Sequence, residues 1–230
     1  MKNKIIFVAC DASNIKTVKD IIVKTKNNKL KILPKFGLQF FYSKNGRKFL
    51  EKFKRDFWLD LKINDIPQTA LSAIDSLGDL KKCKYITVHA NGGLDMLKAA
   101  KKHAKKINKN LKVLGVTILT SLNNRSLKEM GHTKNVQQLV LKQAGLVKKS
   151  GCDGIVCSPQ ESKMIRKKFK NLLIITPGIR LPGDNINDQA RVMTPKDAFN
   201  NQVSGAVMGR SLTKGNIKLN VKKLIDHLSQ

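Results

Sequence analysis

Apolar positions along the chain gather into eight short, nearly continuous runs: residues 4–10 (KIIFVAC), 30–36 (LKILPKF), 56–61 (DFWLDL), 85–90 (YITVHA), 112–119 (KVLGVTIL), 154–158 (GIVCS), 172–176 (LLIIT) and 205–209 (GAVMG). Runs this short, rich in Ile, Val, Leu and Phe and bounded by polar residues, predict strands buried on both faces. The stretches between them carry helical spacing. Ile15, Val18 and Ile22 form one stripe behind a Ser13 cap, and Val136, Leu139, Val140, Ala144 and Val147 form another. In LDMLKAAKKHAKKINKN (94–110), Leu94, Leu97, Ala100, Ala104 and Ile107 make a third apolar face, which leaves the lysines on the wet side. Eight such β/α units in 230 residues predict an α/β fold, a (β/α)8 barrel forming a single domain over residues 1–230. An open doubly wound sheet is the alternative. No G-x-G-x-x-G follows the first run, which weighs against its dinucleotide-binding form.

A barrel of this kind places its chemistry at the C-terminal ends of the strands. In chain order the polar residues there are Asp11, Lys35, Asp60 with Lys62, His89 with Asn91, Thr120 with Ser121, Ser158, Thr176 with Arg180, and Arg210. Asp60 and Lys62 stand two apart and share a strand face. With Asp65 they form D-x-K-x-x-D, in which alternating signs lower the cost of burying each charge. Carboxylates on either side of Lys62 favour its ammonium form, which suits proton donation better than Schiff-base formation. Taken alone, the motif fits a catalytic cluster and a plain ion-pair network equally well. The eighth run leads into GRSLTKG (209–215), where Gly209 lets the backbone approach an anion and Arg210 can fork onto its oxygens. Many barrels bind phosphate at this position.

A formal charge of +29 suggests nucleic acid as a partner, yet only seven of the 45 basic residues are Arg, the side chain that base readout and bidentate phosphate contacts favour. Lysines spread over solvated helix faces account for the charge, so no nucleic-acid partner is expected. Cys10, Cys83, Cys152 and Cys157 contain no C-x-x-C, and the four histidines no H-x-x-x-H. Neither a disulfide framework nor a metal site is expected; reduced thiols point to the cytoplasm. The run Ile5 to Ala9 is shorter than the ~7–15 residues of a signal-peptide core. No run approaches the ~18 apolar residues of a membrane span.

Read together, FVACDA (7–12), PKFG (34–37), DLKINDIPQT (60–69), VHANGG (88–93), TILTS (117–121), GCDGIVCSPQE (151–161), TPGIR (176–180) with NDQARVMTP (187–195), and MGRSLT (208–213) resemble the orotidine 5'-phosphate decarboxylase family, bacterial type, over nearly the whole chain. The resemblance implies conversion of orotidine 5'-phosphate (OMP) to UMP and CO2, with no metal or organic cofactor, by a homodimer. It makes Lys62 the proton donor to C6 within a network of Lys35, Asp60, Lys62 and Asp65, and it sends Asp65, Ile66 and Thr69 into the partner subunit's site. Asp11 would bind ribose hydroxyls, and Thr120 and Pro177 would border the pyrimidine. Gln189 would bridge base and phosphate, and Arg180, Gly209 and Arg210 would hold the phosphate. Asn64 replaces the family's usual His and Cys10 its usual Leu; neither position is expected to touch substrate. Related Mg²⁺-dependent barrels that act on sugar phosphates share D-x-K-x-x-D, but the IPQT continuation and the NDQ segment favour the decarboxylase.

Overall fold

Every one of the eight apolar runs overlaps a strand in the computed structural model, which describes residues 4–184 and 192–229. The strands are β1 (Ile5–Ala9), β2 (Lys31–Phe36), β3 (Phe57–Ile63), β4 (Cys83–His89), β5 (Lys112–Val116), β6 (Gly154–Val156), β7 (Leu173–Thr176) and β8 (Gly205–Met208). Each pairs in parallel with the next, and β8 returns to β1, so the sheet closes and leaves no edge. Strand β3 runs two residues beyond its expected end. The 112–119 run outlasts β5, and Ile118 and Leu119 leave the ladder to line the cavity described below.

Closure divides the core in two by the two-residue alternation of strands. Inward, every strand contributes to a plug: Phe7, Leu33, Trp58, Tyr85, Leu114, Val156, Ile175 and Val207, with Ile5 and Leu173 packed against it. The Phe7 ring meets Trp58 edge-on at 4.8 Å and Tyr85 at 5.3 Å, the geometry that ring quadrupoles favour. A β-carbon at Gly205 would come within 2.8 Å of the Phe7 ring, so the plug leaves room only for glycine there. Outward, Ile6, Val8, Ile32, Leu59, Ile86, Val113, Ile155 and Ile174 pack beneath the helices.

The helices follow the predicted stripes with local differences. Helix Ile15–Lys24 is capped by Asn14, whose side chain accepts from Lys16 N at 2.8 Å, and not by Ser13. Asn14 is the residue with the extended backbone that a cap requires. Helix Gly93–Ile107 buries Met96, Leu97, Ala100 and Ala104, while Leu94 and Ile107 sit half-buried in its terminal turns. Lys98, Lys102, Lys105 and Lys106 face solvent, and Lys101 pairs with Asp153 at 2.6 Å. Helix Val136–Lys149 begins with a reciprocal capping box between Asn135 and Gln138 and buries Val136, Val140, Ala144 and Val147.

Candidate active site

Strand β3 falls out of step with β4 at the mouth of the barrel. Leu59 faces Ile86, but the next pair is Ile63 with Val88, so Asp60, Leu61 and Lys62 bulge from the ladder. Lys62 adopts left-handed backbone, φ 52, which costs a residue with a β-carbon about 1–2 kcal/mol. Such conformations persist where surrounding contacts over-determine them. Here the contacts are ionic. Lys62 Nζ lies 3.0 Å from Asp60 Oδ2, and Lys35 Nζ, reaching in from β2, lies 3.3 Å from the same carboxylate oxygen. On its far side Lys35 meets Asp11 Oδ2 at 3.4 Å. Gly37 N–H donates to Asp11 Oδ1 at 3.1 Å, and a β-carbon at Gly37 would stand 2.5 Å from that oxygen, so glycine is required for Asp11 to sit here. The result is a row of alternating charge: Asp11, Lys35, Asp60, Lys62.

Lys35 and Asp60 are buried, 6% and 7% exposed. Burial alone would push the Lys35 pKa down, but Asp60 and Asp11 outweigh it and hold the ammonium above its ordinary range. Burial would raise Asp60; the charges of Lys35 and Lys62, with hydrogen bonds from Lys62 and Thr87, bring it below the ordinary value of 3.8. Burial and then the Lys62 charge lower His89, which favours its neutral form. For Asp60 the linkage sign is definite. Its contribution to stability is present above pH 3.8 and lost as pH falls through the depressed folded value. Urea midpoints measured from pH 6 to pH 2.5 are therefore expected to fall more steeply for the native chain than for Asp60→Asn. Parallel curves would remove the assignment.

Above the aromatic plug lies a cavity of about 640 Å³. The four charged residues of the row line it, with Trp58 at its base and Lys35 Nζ 6.0 Å from the indole centroid. Ile118, Leu119 and Val156 add apolar wall; Thr120, Pro177, Arg180, Gly209 and Arg210 complete it. Gly178 turns the chain after β7 with φ 76. Arg180 N–H donates to Met193 O at 3.1 Å and Met193 N–H to Gly178 O at 3.2 Å, which pins the two ends of the segment between them. Arg180 is buried and its Nη1 donates to Ile179 O at 3.1 Å. Gly209 caps the short helix Arg210–Thr213 that follows β8.

Residues 4–222 match the Orotidine 5'-phosphate decarboxylase / HUMPS family. The chain belongs to this family. It is 40% identical over 205 residues to "Orotidine 5'-phosphate decarboxylase" of Ligilactobacillus salivarius (strain UCC118), a match spanning 86% of each chain. The protein of the same name in Fusobacterium nucleatum subsp. nucleatum is 38% identical over 218 residues, 93% of this chain and 90% of its own. The crystal structure of orotidine 5'-phosphate decarboxylase from Lactobacillus acidophilus superposes with a TM-score of 0.81 at 31% identity, covering 98% of this chain and 99% of that one. Family membership makes the chain an enzyme, a carboxy-lyase.

Of the residues singled out by resemblance to the decarboxylase family, Asp11, Lys35, Asp60, Lys62, Thr120, Pro177, Arg180, Gly209 and Arg210 all line the one cavity. Asp65, Ile66 and Thr69 do not. The chain turns at the bulge and carries them onto the exposed stretch 64–69 ahead of and into helix Pro67–Asp75. Asp65 Oδ1 accepts its neighbour's N–H, that of Ile66, at 2.8 Å, and among the described residues Asp65 forms no ion pair. The expected flanking of Lys62 by Asp60 and Asp65 is thus corrected: within one chain Lys62 pairs with Asp60. Gln189 lies outside the described residues. Ser158 serves as a buried cap in a box with Glu161, and Asn91 accepts from Gln143 at 2.6 Å; neither lines the cavity. Two residues were not anticipated, Trp58 beneath the charges and Thr87 beside them. Both share the inward parity of their strands with Asp60 and His89, and that parity was the available signal.

Proposed function

We propose that the chain decarboxylates OMP to UMP and CO2 without a metal or organic cofactor, using Lys62 as the proton donor to C6. The observation that carries this reading is the buried Asp60 oxygen that grips two ammonium groups in a nucleotide-sized cavity that Arg180 and Arg210 also line. When the C6–carboxylate bond breaks, its electron pair stays on a carbon with no adjacent carbonyl to absorb it. The fixed Lys62 charge stabilises that pair as it forms, and a proton from Nζ then makes the C6–H bond of UMP. Solvent restores the proton to Lys62. Asp60 stands where the leaving carboxylate departs, and their repulsion ends with the loss of CO2.

Asp11 binds the ribose hydroxyls, Thr120 and Pro177 border the pyrimidine, and Gln189 bridges base and phosphate. Arg180, Gly209 and Arg210 hold the phosphate, whose binding energy orients the distant base. Both Asp60 oxygens already accept hydrogens from Thr87, Lys35 and Lys62, a set of donors that disfavours a divalent cation there. The dimer belongs to the same proposal: Asp65, Ile66 and Thr69 enter the partner's site, which accounts for Ile66 being 66% exposed in the single chain.

Loss of ultraviolet absorbance when OMP is added to purified protein in EDTA tests the whole reading. No turnover of OMP, with EDTA-sensitive turnover of a sugar phosphate, would favour the Mg²⁺-dependent class instead. Arg210→Ala is expected to lower kcat/KM for OMP by roughly 10²–10⁴-fold, the loss of a bidentate charged contact, and to leave turnover of free orotidine nearly unchanged. Equal losses on both substrates would remove Arg210 from the phosphate.

A further inference from the structure

On the reading just given, turnover depends on where the Lys62 ammonium stands, and a side chain outside the charge row fixes that position. Thr87 lies on β4, fully buried, on the inward face it shares with Tyr85 and His89. Its hydroxyl donates to Asp60 Oδ1 at 2.8 Å and accepts the backbone N–H of Lys62 at 2.9 Å. The directions follow from the groups themselves: a carboxylate can only accept and an N–H can only donate, so the single hydroxyl proton goes to Asp60.

The two bonds act on two different weaknesses. The bulge takes Lys62 out of the β3–β4 ladder at the point where its backbone is left-handed, and Thr87 supplies that N–H with a partner. Asp60 Oδ2 is shared by Lys35 and Lys62, a grip that leaves the carboxylate plane able to pivot; Thr87 holds Oδ1 and stops the pivot. Neither lysine can do this, because a four-carbon stem is flexible and its ammonium imposes no plane. A β-branched side chain on a strand, by contrast, has little χ1 freedom.

We propose that Thr87 is a positioning residue for decarboxylation, its hydroxyl tying the bulged Lys62 backbone to the Asp60 carboxylate and so setting the ammonium against the reacting carbon. Thr87 does not line the cavity, so its effect passes through Lys62 and Asp60 and not through contact with substrate. The inference rests on the decarboxylase reading of this site.

Steady-state kinetics on OMP and calorimetric binding of UMP, for the native chain, Thr87→Val and Thr87→Ser, test it. Thr87→Val keeps the shape and removes the hydroxyl; its kcat is expected to fall roughly 10- to 100-fold, the scale of an ångström-sized misplacement. Its KM and UMP affinity stay within about threefold, because the groups that bind the nucleotide are untouched. Thr87→Ser keeps the hydroxyl and restores kcat to within about threefold of native. A lowered melting temperature with native kcat per folded site in Thr87→Val would show a structural role only and overturn the proposal. If the Val protein does not fold, Thr87→Cys replaces it. A thiol is a weak donor, an intermediate kcat is expected, and native kcat there is equally fatal. A native chain inactive on OMP would bring down the decarboxylase reading and Thr87 with it, whereas an active native chain with an undiminished Val variant brings down Thr87 alone.

Discussion

Lys62→Ala is expected to lose turnover of OMP by at least about 10⁴-fold while still binding UMP, because on the proposed mechanism it removes a general acid and a preorganised charge at once. The retained affinity follows from the cavity: Asp11, Thr120, Pro177, Arg180 and Arg210 line it and are all distant in sequence from the change, and Asp11 is held by Gly37 N–H and Lys35. The fold should survive. Asp60 keeps Lys35 at 3.3 Å and Thr87 at 2.8 Å, so its carboxylate is not left buried and unpaired. The backbone offers a second readout. At φ 52 alanine bears the same β-carbon penalty as lysine, whereas glycine bears none, so Lys62→Gly is expected to be more stable than Lys62→Ala by about 1 kcal/mol although equally inactive. Stopped-flow or steady-state absorbance gives the first comparison, calorimetric UMP titration the second and urea melts the third. Near-native turnover by Lys62→Ala would end the assignment of the proton donor.

The eight strands were legible because a parallel barrel buries both faces of each, which writes them as continuous apolar runs. Their order and parallel pairing follow from the helices between them. Asp60 and Lys62 were legible as neighbours by strand parity, and Gly209–Arg210 by position after the eighth run. The bulge that brings Asp60 and Lys62 to 3.0 Å was not, since nothing in FWLDLKI favours left-handed backbone; lysine is an unusual residue there and the tertiary ion pairs impose it. Thr87 was hidden for the opposite reason: threonine is an ordinary strand residue, and only the depth of the barrel turns its hydroxyl into a junction. Ser13 and Asn14 are adjacent and equally good caps, so composition could not choose between them. D-x-K-x-x-D as a string says that three charges are close in sequence. It does not say that the chain leaves the barrel between the second and the third.

That departure sets up the second large effect. On the proposed dimer with shared sites, Lys62→Ala and Asp65→Ala are each expected to be inactive alone, yet a mixture of the two, co-expressed or refolded together, is expected to recover activity. In a C2 dimer whose sites are completed across the interface, the hybrid has one site lacking both groups and one site with Lys62 from the Asp65→Ala chain and Asp65 from its partner. Random pairing makes about half the dimers hybrid with one complete site of two, so activity per chain should return to roughly a quarter of native. If each Asp65 served its own chain, no hybrid site would be whole and mixing would restore nothing. The exposure of residues 64–69, and the absence of an Asp65 ion pair among the described residues, are what the first arrangement requires of an isolated chain. Under the second, Asp65 would have to leave the exposed position in which its Oδ1 accepts the Ile66 N–H at 2.8 Å and reach back to Lys62.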